Sequence, residues 1–154
     1  MQNMKKSLSE TFKELGIQFT FPISIKNNQG KETYYENSRG YWTRREYNEI
    51  DNITYYEDSD GYWYRYEYDE KSGKETHFEN SRGYWSRREY DECGKVTYLK
   101  DSDGYWFRKE YDEKSGKETY FEDSDGTIFG TPRKSCADGK VVVVDGQKYK
   151  LTAL

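Results

Sequence analysis

Apolar and polar positions alternate with period two along most of this chain, and the alternation restarts every 21 or 22 residues. Its clearest carrier is Gly61-Tyr62-Trp63-Tyr64-Arg65-Tyr66-Glu67-Tyr68-Asp69, which recurs from Gly40, from Gly83 and from Gly104. Trp42, Trp63, Trp85 and Trp106 hold the same place in each copy. A period of that size marks a tandem array of one supersecondary unit. Each unit reads as two strands: Thr33-Tyr34-Tyr35-Glu36 and its equivalents, then Tyr-Trp-x-Arg-x-Glu-Tyr. Between them lies an [Asn/Asp]-Ser-[Arg/Asp]-Gly turn, whose Asn or Asp bonds its own backbone and whose Gly accepts positive φ. A second turn, such as Asp69-Glu70-Lys71-Ser72-Gly73, leads into the next unit. Aromatic-rich runs joined by Gly-bearing turns signal hairpins, and hairpins in series predict an antiparallel meander.

The fold expected is therefore mainly β: tandem β-hairpins in a single-layer or coiled sheet, with a short helix before it and a capping hairpin after it. Three segments are expected. Residues 1–30 form a helix-and-strand cap, 31–126 hold four and a half repeats, and 127–154 form a loop and terminal hairpin. In the first, Met4, Leu8, Phe12 and Leu15 follow helical spacing over Lys5 to Leu15, with Gly16 as the stop and the apolar face docking on the first repeat. Phe19, Phe21, Ile23 and Ile25 alternate with polar neighbours, and Pro22 places that strand at a sheet edge. In the last, Thr127-Ile128-Phe129 replaces the Tyr-Trp strand and ends the array. Val141 to Val144, Asp145-Gly146 and Gln147 to Leu151 then read as a two-residue hairpin, with the valine run buried.

Parity along the second strand separates two faces. Trp42, Trp63, Trp85 and Trp106 share one side with Arg44, Arg65, Arg87 and Arg108 and with a Glu two positions on. This set recurs unchanged and reads as a structural ladder, with equivalent strands roughly 9.6 Å apart so that Arg reaches a neighbouring indole or Glu. If the Ser-containing turn is even in length, Tyr35, Tyr56, Phe78 and Leu99 stand beside the Trp of their hairpin. Tyr34, Tyr55, His77 and Tyr98 then fall on the opposite side with Tyr62, Tyr84, Tyr105 and the variable Tyr64, Tyr66, Arg88 and Phe107. Exposed tyrosines give rigid amphipathic contact area at low entropy cost, which makes this second set the candidate recognition surface. Residues 31–73 and 74–116 are identical at most positions, the trace of a duplicated two-hairpin unit. Arg39, Asp60, Arg82 and Asp103 alternate in the turns and are expected to pair along one edge.

Composition narrows the function classes. Hydrophobic residues make up 32% and charged residues 35%, a balance that suits disorder, but the aromatic share of 18% argues against it. The net charge of −4 comes from interleaved acids and bases, so no basic block supports duplex-DNA binding. No apolar run approaches a membrane span. Cys93 and Cys136 lack metal-site spacing, and two lone thiols without a signal peptide fit a reducing, cytoplasmic compartment. His77 fills a Tyr slot, and the Asp-Ser-Asp-Gly turns lack the alternating ligands of a calcium loop. No phosphate-cradling loop and no Ser/His/Asp set occurs. The expectation is a non-enzyme with no cofactor and no metal.

The run Tyr66 to Lys74, Tyr-x-Tyr-Asp-x-x-Ser-Gly-Lys, resembles the tyrosine-aspartate repeats of Rhs-type proteins, which build sheets from successive hairpins. The wider layout is similar to small tandem-repeat proteins of bacteriophages. It shares the short leading helix, Phe21-Pro22-Ile23-Ser24, the Asn-Ser-x-Gly-Tyr-Trp units, and an ending of the form Val144-Asp145-Gly146-Gln147-Lys148-Tyr149-Lys150-Leu151. That resemblance implies action inside an infected bacterium, by binding and blocking a host or anti-phage defence protein. Choline- and glucan-binding repeats of similar length offer an alternative, a cell-wall glycan or choline module. A single-stranded nucleic-acid binder and a virion component complete the alternatives.

Overall fold

The computed structural model describes residues 6–133, 141–144 and 147–150. A short helix α1 (Leu8–Glu14) precedes an eleven-stranded antiparallel meander. Its strands are β1 (Ile23–Lys26), β2 (Glu32–Glu36), β3 (Trp42–Tyr47), β4 (Ile53–Asp58), β5 (Trp63–Tyr68), β6 (Glu75–Asn80), β7 (Trp85–Tyr90), β8 (Val96–Asp101), β9 (Trp106–Tyr111), β10 (Glu118–Asp123) and β11 (Ile128–Gly130). Sequence order and spatial order coincide, and β1 and β11 are the two edges, so the sheet is open. β12 (Val141–Val144) pairs antiparallel with β13 (Gln147–Lys150) as a separate two-stranded sheet. The single layer has almost no interior. Among the described residues, Ile23 and Tyr120 are the buried apolar side chains.

The turns show why each unit folds alike. Asn37 Oδ1 accepts the backbone N–H of Arg39 at 2.9 Å and of Tyr41 at 3.2 Å. Asp58, Asn80, Asp101 and Asp123 repeat that Asx turn. Gly40, at φ +84°, takes the left-handed position the turn requires. The turn serines link neighbouring hairpins: the Ser59, Ser81, Ser102 and Ser124 N–H groups donate to the Trp42, Trp63, Trp85 and Trp106 carbonyls. In the second kind of turn Asp51, at φ +64°, occupies the place that Gly94 fills two hairpins later.

Where one unit meets the next, the ladder slips by one residue. Glu46 pairs with Tyr55 and Tyr47 with Ile53, so Thr54 bulges. The same slip sets Thr33, Thr76, Thr97 and Thr119 out of register. A bulge bends the strand and reverses the side-chain parity beyond it. Beside it, the Tyr47, Tyr68, Tyr90 and Tyr111 hydroxyls donate to the carbonyls of Glu32, Ile53, Glu75 and Val96, closing the end of each hairpin.

Several expectations change at the ends. The helix covers Leu8–Glu14 instead of beginning at Lys5, because the capping box formed by Ser7 and Glu10 fixes its start. It docks through polar groups: Leu15 is exposed, whereas Ser7 and Ser9 are buried. Phe12 instead meets Phe19 with ring centroids 5.7 Å apart, and Phe19 meets Phe21 at 5.3 Å. The strand lies at the sheet edge, as expected from Pro22, but it begins only after the proline and spans Ile23–Lys26, leaving out Phe19 and Phe21. The array does not stop at Asp123-Ser124-Asp125-Gly126, since β11 adds a three-residue edge against β10. Met4, Lys5, Cys136, the turn Asp145-Gly146 and the burial of the valine run lie outside the described residues.

Candidate functional site

Register decides what each face carries. Glu36 pairs with Trp42, Tyr35 with Thr43 and Tyr34 with Arg44. Residues 37–41 make a connection of odd length, so Tyr35, Tyr56, Phe78 and Leu99 do not stand beside the tryptophans. They face Thr43, Tyr64, Ser86 and Phe107. The bulged threonines likewise bring Tyr34, Tyr55, His77 and Tyr98 onto the tryptophan side, opposite Arg44, Arg65, Arg87 and Arg108. The candidate recognition residues therefore divide. Tyr34, Tyr55, His77 and Tyr98 share a face with the ladder, while Tyr62, Tyr64, Tyr66, Tyr84, Arg88, Tyr105 and Phe107 share the other.

That second face is the better packed. Thr43 and Ser86, at 3% and 2% exposure, are small residues that alternate with Tyr64 and Phe107 along the sheet. Tyr56 stacks on Tyr64 at 4.9 Å and 8°, Tyr64 meets Tyr66 at 5.4 Å, and Tyr66 meets Phe78 at 4.9 Å. Phe107 stacks on Phe121 at 6.2 Å, with the Lys109 ammonium over both rings. Arg45 reaches Glu32 at 2.8 Å, Arg88 pairs with Glu75, and Lys109 reaches Glu118 at 2.9 Å. Burial pushes up the Tyr56, Tyr64, Tyr66 and Tyr68 phenols. The turn charges do not pair in series: Arg82 lies over the Tyr62 ring at 5.5 Å.

On the tryptophan face, Arg44, Arg65, Arg87 and Arg108 are exposed. Arg44 reaches Glu46, Arg65 reaches Glu79 and Arg108 reaches Glu110, each at 2.7 Å, and Arg87 lies 6.0 Å from the Trp85 ring. Read across four strands, the register writes the face as rows: Tyr34–Arg44–Glu57–Trp63, then Tyr55–Arg65–Glu79–Trp85, then His77–Arg87–Lys100–Trp106. Three open grooves lie along it, of about 560, 380 and 340 Å³. The first is lined by Tyr34, Trp42 and Arg44, the second by His77, Trp85 and Arg87, and the third by Arg44, Tyr55 and Arg65.

Both ends of this face are covered by the chain itself. Glu36 is 1% exposed and accepts the Ser9 N–H at 3.0 Å, the Ser9 hydroxyl, and the Tyr34 hydroxyl at 2.9 Å. Tyr34 also accepts the Leu8 N–H at 3.0 Å. Burial alone would raise the Glu36 carboxyl, but its donors from Ser9, Tyr34 and Ser7 outweigh that and hold it below its ordinary value. Burial pushes the Tyr34 phenol up to about 12. The helix has a physical reason to be there. Glu57, Glu79 and Glu122 face an Arg on the preceding strand, whereas Glu36 faces Ile23. The positive N-terminal end of α1 supplies the counter-charge that β1 lacks. At the far end Arg133 donates its backbone N–H to Glu110 at 2.7 Å and its guanidinium to Glu113 at 2.8 Å.

Sequence reasoning passed over Glu36 and Lys100. Lys100 was visible as a departure, in the slot that holds Glu36, Glu57, Glu79 and Glu122; Glu36 was not, because its partner Ile23 lies outside the repeats. Cys93 is an exposed free thiol in a turn. Among the described residues no group of three or more His, Cys, Asp or Glu is placed to hold a metal, and no helix is long and apolar enough to cross a membrane.

No protein-family model matches the chain, and no curated protein matches it. Among solved structures it is similar to the Tc holotoxin pore of Photorhabdus luminescens, with a TM-score of 0.33 and 12% identity, over 70% of this chain. The chain spans 9% of the length of that protein.

Proposed function

We propose that this protein is a non-catalytic binding protein that acts by protein–protein interaction through the tryptophan face, inhibiting a bacterial host or anti-phage defence protein in the cytoplasm. The observation that carries the reading is the uncovered middle of that face. There the chain presents indole, guanidinium and carboxylate groups in rows one hairpin apart, while its own ends cover the same face at α1 and at Arg133. Trp, Tyr and Arg are the residues that anchor protein interfaces. The phage-like layout of the repeats supports an inhibitory role. The test is capture from bacterial lysate by the immobilised full chain, beside the triple variant Arg44→Ala/Arg65→Ala/Arg87→Ala with unchanged far-UV circular dichroism. One stoichiometric protein that the wild type retains and the variant loses supports the reading. No retained protein, or equal retention by both, sinks it.

A second reading has one observation in its favour. The groove around His77, Trp85 and Arg87 sets a ring beside hydrogen-bonding charged groups, the chemistry that holds a sugar ring. Retention on cell-wall glycan or choline resin in place of a protein would favour that ligand-binding class.

A further inference from the structure

We infer that the row His77–Arg87–Lys100–Trp106 is a binding site for carboxylates, the place where an acidic side chain of a protein partner seats on the tryptophan face. The inference rests on the proposed protein-binding function and names the partner's chemistry at one position.

The departures from the repeat carry it. On the tryptophan face every other Arg across a unit boundary faces an acid: Arg44 faces Glu57, Arg65 faces Glu79 and Arg108 faces Glu122. Arg87 faces Lys100, a like-charge pair directly opposite across two strands, which destabilises a sheet. Both side chains are exposed. In the same row the Tyr of the other units is replaced by His77, whose Nδ1 is buried without a hydrogen-bond partner. Two departures from the repeat thus fall in one row: Lys100 takes the place of the acid that faces the arginine, and His77 takes the place of a tyrosine. A local rule broken without compensation inside the fold is expected at a functional position.

The neighbouring carboxylates do not compensate. Glu79 lies 2.7 Å from Arg65 and 3.6 Å from His77 Nε2, so its nearest partner belongs to the previous row. Glu67 faces His77, and Glu89 faces Tyr98. Trp106, opposite Lys100, gives the row an aromatic end, and the Arg87 guanidinium lies over Trp85. Glu67 stands at the far end of the row beside His77, so the Arg87–Lys100 pair is a local cationic spot between rows in which the same pair is Arg–Glu, on a protein of net charge −4. One row suits one or two carboxylates beside an apolar group. An extended phosphate backbone needs several contacts in series and would meet Glu on both sides.

The full chain, labelled with 15N, is titrated with a hexaglutamate peptide at low ionic strength. Saturable shifts centred on residues 77, 87, 100 and 106 are expected. Lys100→Glu restores the acid of the other units, so its melting temperature should equal or exceed that of the wild type while its affinity for hexaglutamate falls about tenfold. Lys71→Glu makes the same charge change on an exposed turn and should leave the affinity unchanged. The inference is overturned if no saturable response appears, if the response lies elsewhere, or if Lys71→Glu weakens binding as much as Lys100→Glu. It is also overturned if inorganic phosphate or a single-stranded oligonucleotide saturates the row more tightly than hexaglutamate. An empty lysate capture with an intact hexaglutamate response would remove the inhibitor reading and leave the carboxylate site standing.

Discussion

The two faces of this sheet are built on opposite rules. On the tryptophan face the residues that repeat unchanged, Arg44, Arg65 and Arg87, are exposed, and each has a different partner: Glu46, Glu79 and the Trp85 ring. On the other face the residues that vary, Thr43, Tyr64, Ser86 and Phe107, are half-buried or buried, with Tyr64 stacked on Tyr56 and Phe107 on Phe121. Repetition along a chain therefore does not mark burial. A side chain packed against a different partner in each unit must change with that partner, whereas one facing solvent is free to repeat. In a single layer without a core, aromatic contacts on the packed face do what an aliphatic interior does elsewhere.

The largest test of this contrast sets two neighbouring residues against each other. Tyr64→Ala removes a stack on Tyr56, an edge contact with Tyr66 and a contact with Phe78, and should cost about 2 to 3 kcal/mol. Trp63→Ala, on the other face, loses a half-buried indole but none of that ring cluster, and should cost about 1 kcal/mol. Thermal unfolding followed by circular dichroism ranks them. A larger loss for Trp63→Ala would restore the tryptophans as the ladder that holds the hairpins together.

Much of this was readable beforehand; side-chain parity and the burial of Glu36 were not. Strand positions, Asx turns and the edge set by Pro22 follow from local chemistry, which acts within four or five residues. Which face a side chain joins depends on every residue inserted before it. One bulge at Thr54 moves Tyr55 to the other side while leaving the period-two pattern of the strand intact. The signal was the threonine recurring at each bulge, but threonine favours strands in any case. The burial of Glu36 was hidden because its neighbours in sequence match those of the half-buried acids in later units.

A smaller effect separates the covered end of the tryptophan face from its open middle. Glu36→Gln weakens the donors from Ser9 and Tyr34 and should cost about 1 to 2 kcal/mol, confined to α1. The sign of the pH dependence follows from the lowered Glu36 carboxyl. A group ionised more readily in the folded state stabilises fully above its unfolded pKa, and that contribution is lost as pH falls through the folded value. Amide protection at Leu8 and Ser9 should therefore be high at neutral pH and fall on acidification through and below the ordinary carboxylate range. The Glu36→Gln variant should lack this step. Protection in the wild type that is independent of pH would mean that the helix docks without the carboxylate.

The smallest effect belongs to the open middle itself. Arg65 and Glu79 approach to 2.7 Å, yet their side chains are 52% and 30% exposed, so water screens the pair and the arginine gives up rotamer freedom to hold it. Arg65→Ala should change stability by about 0.5 kcal/mol or less. The same substitution removes one guanidinium from the row that, on the proposed reading, faces the partner, so its effect should appear in binding and not in unfolding. A loss of stability comparable to that of Tyr64→Ala would show that the repeated face carries the sheet after all. The contrast between a packed face that varies and an open face that repeats would then fail at its best-placed residue.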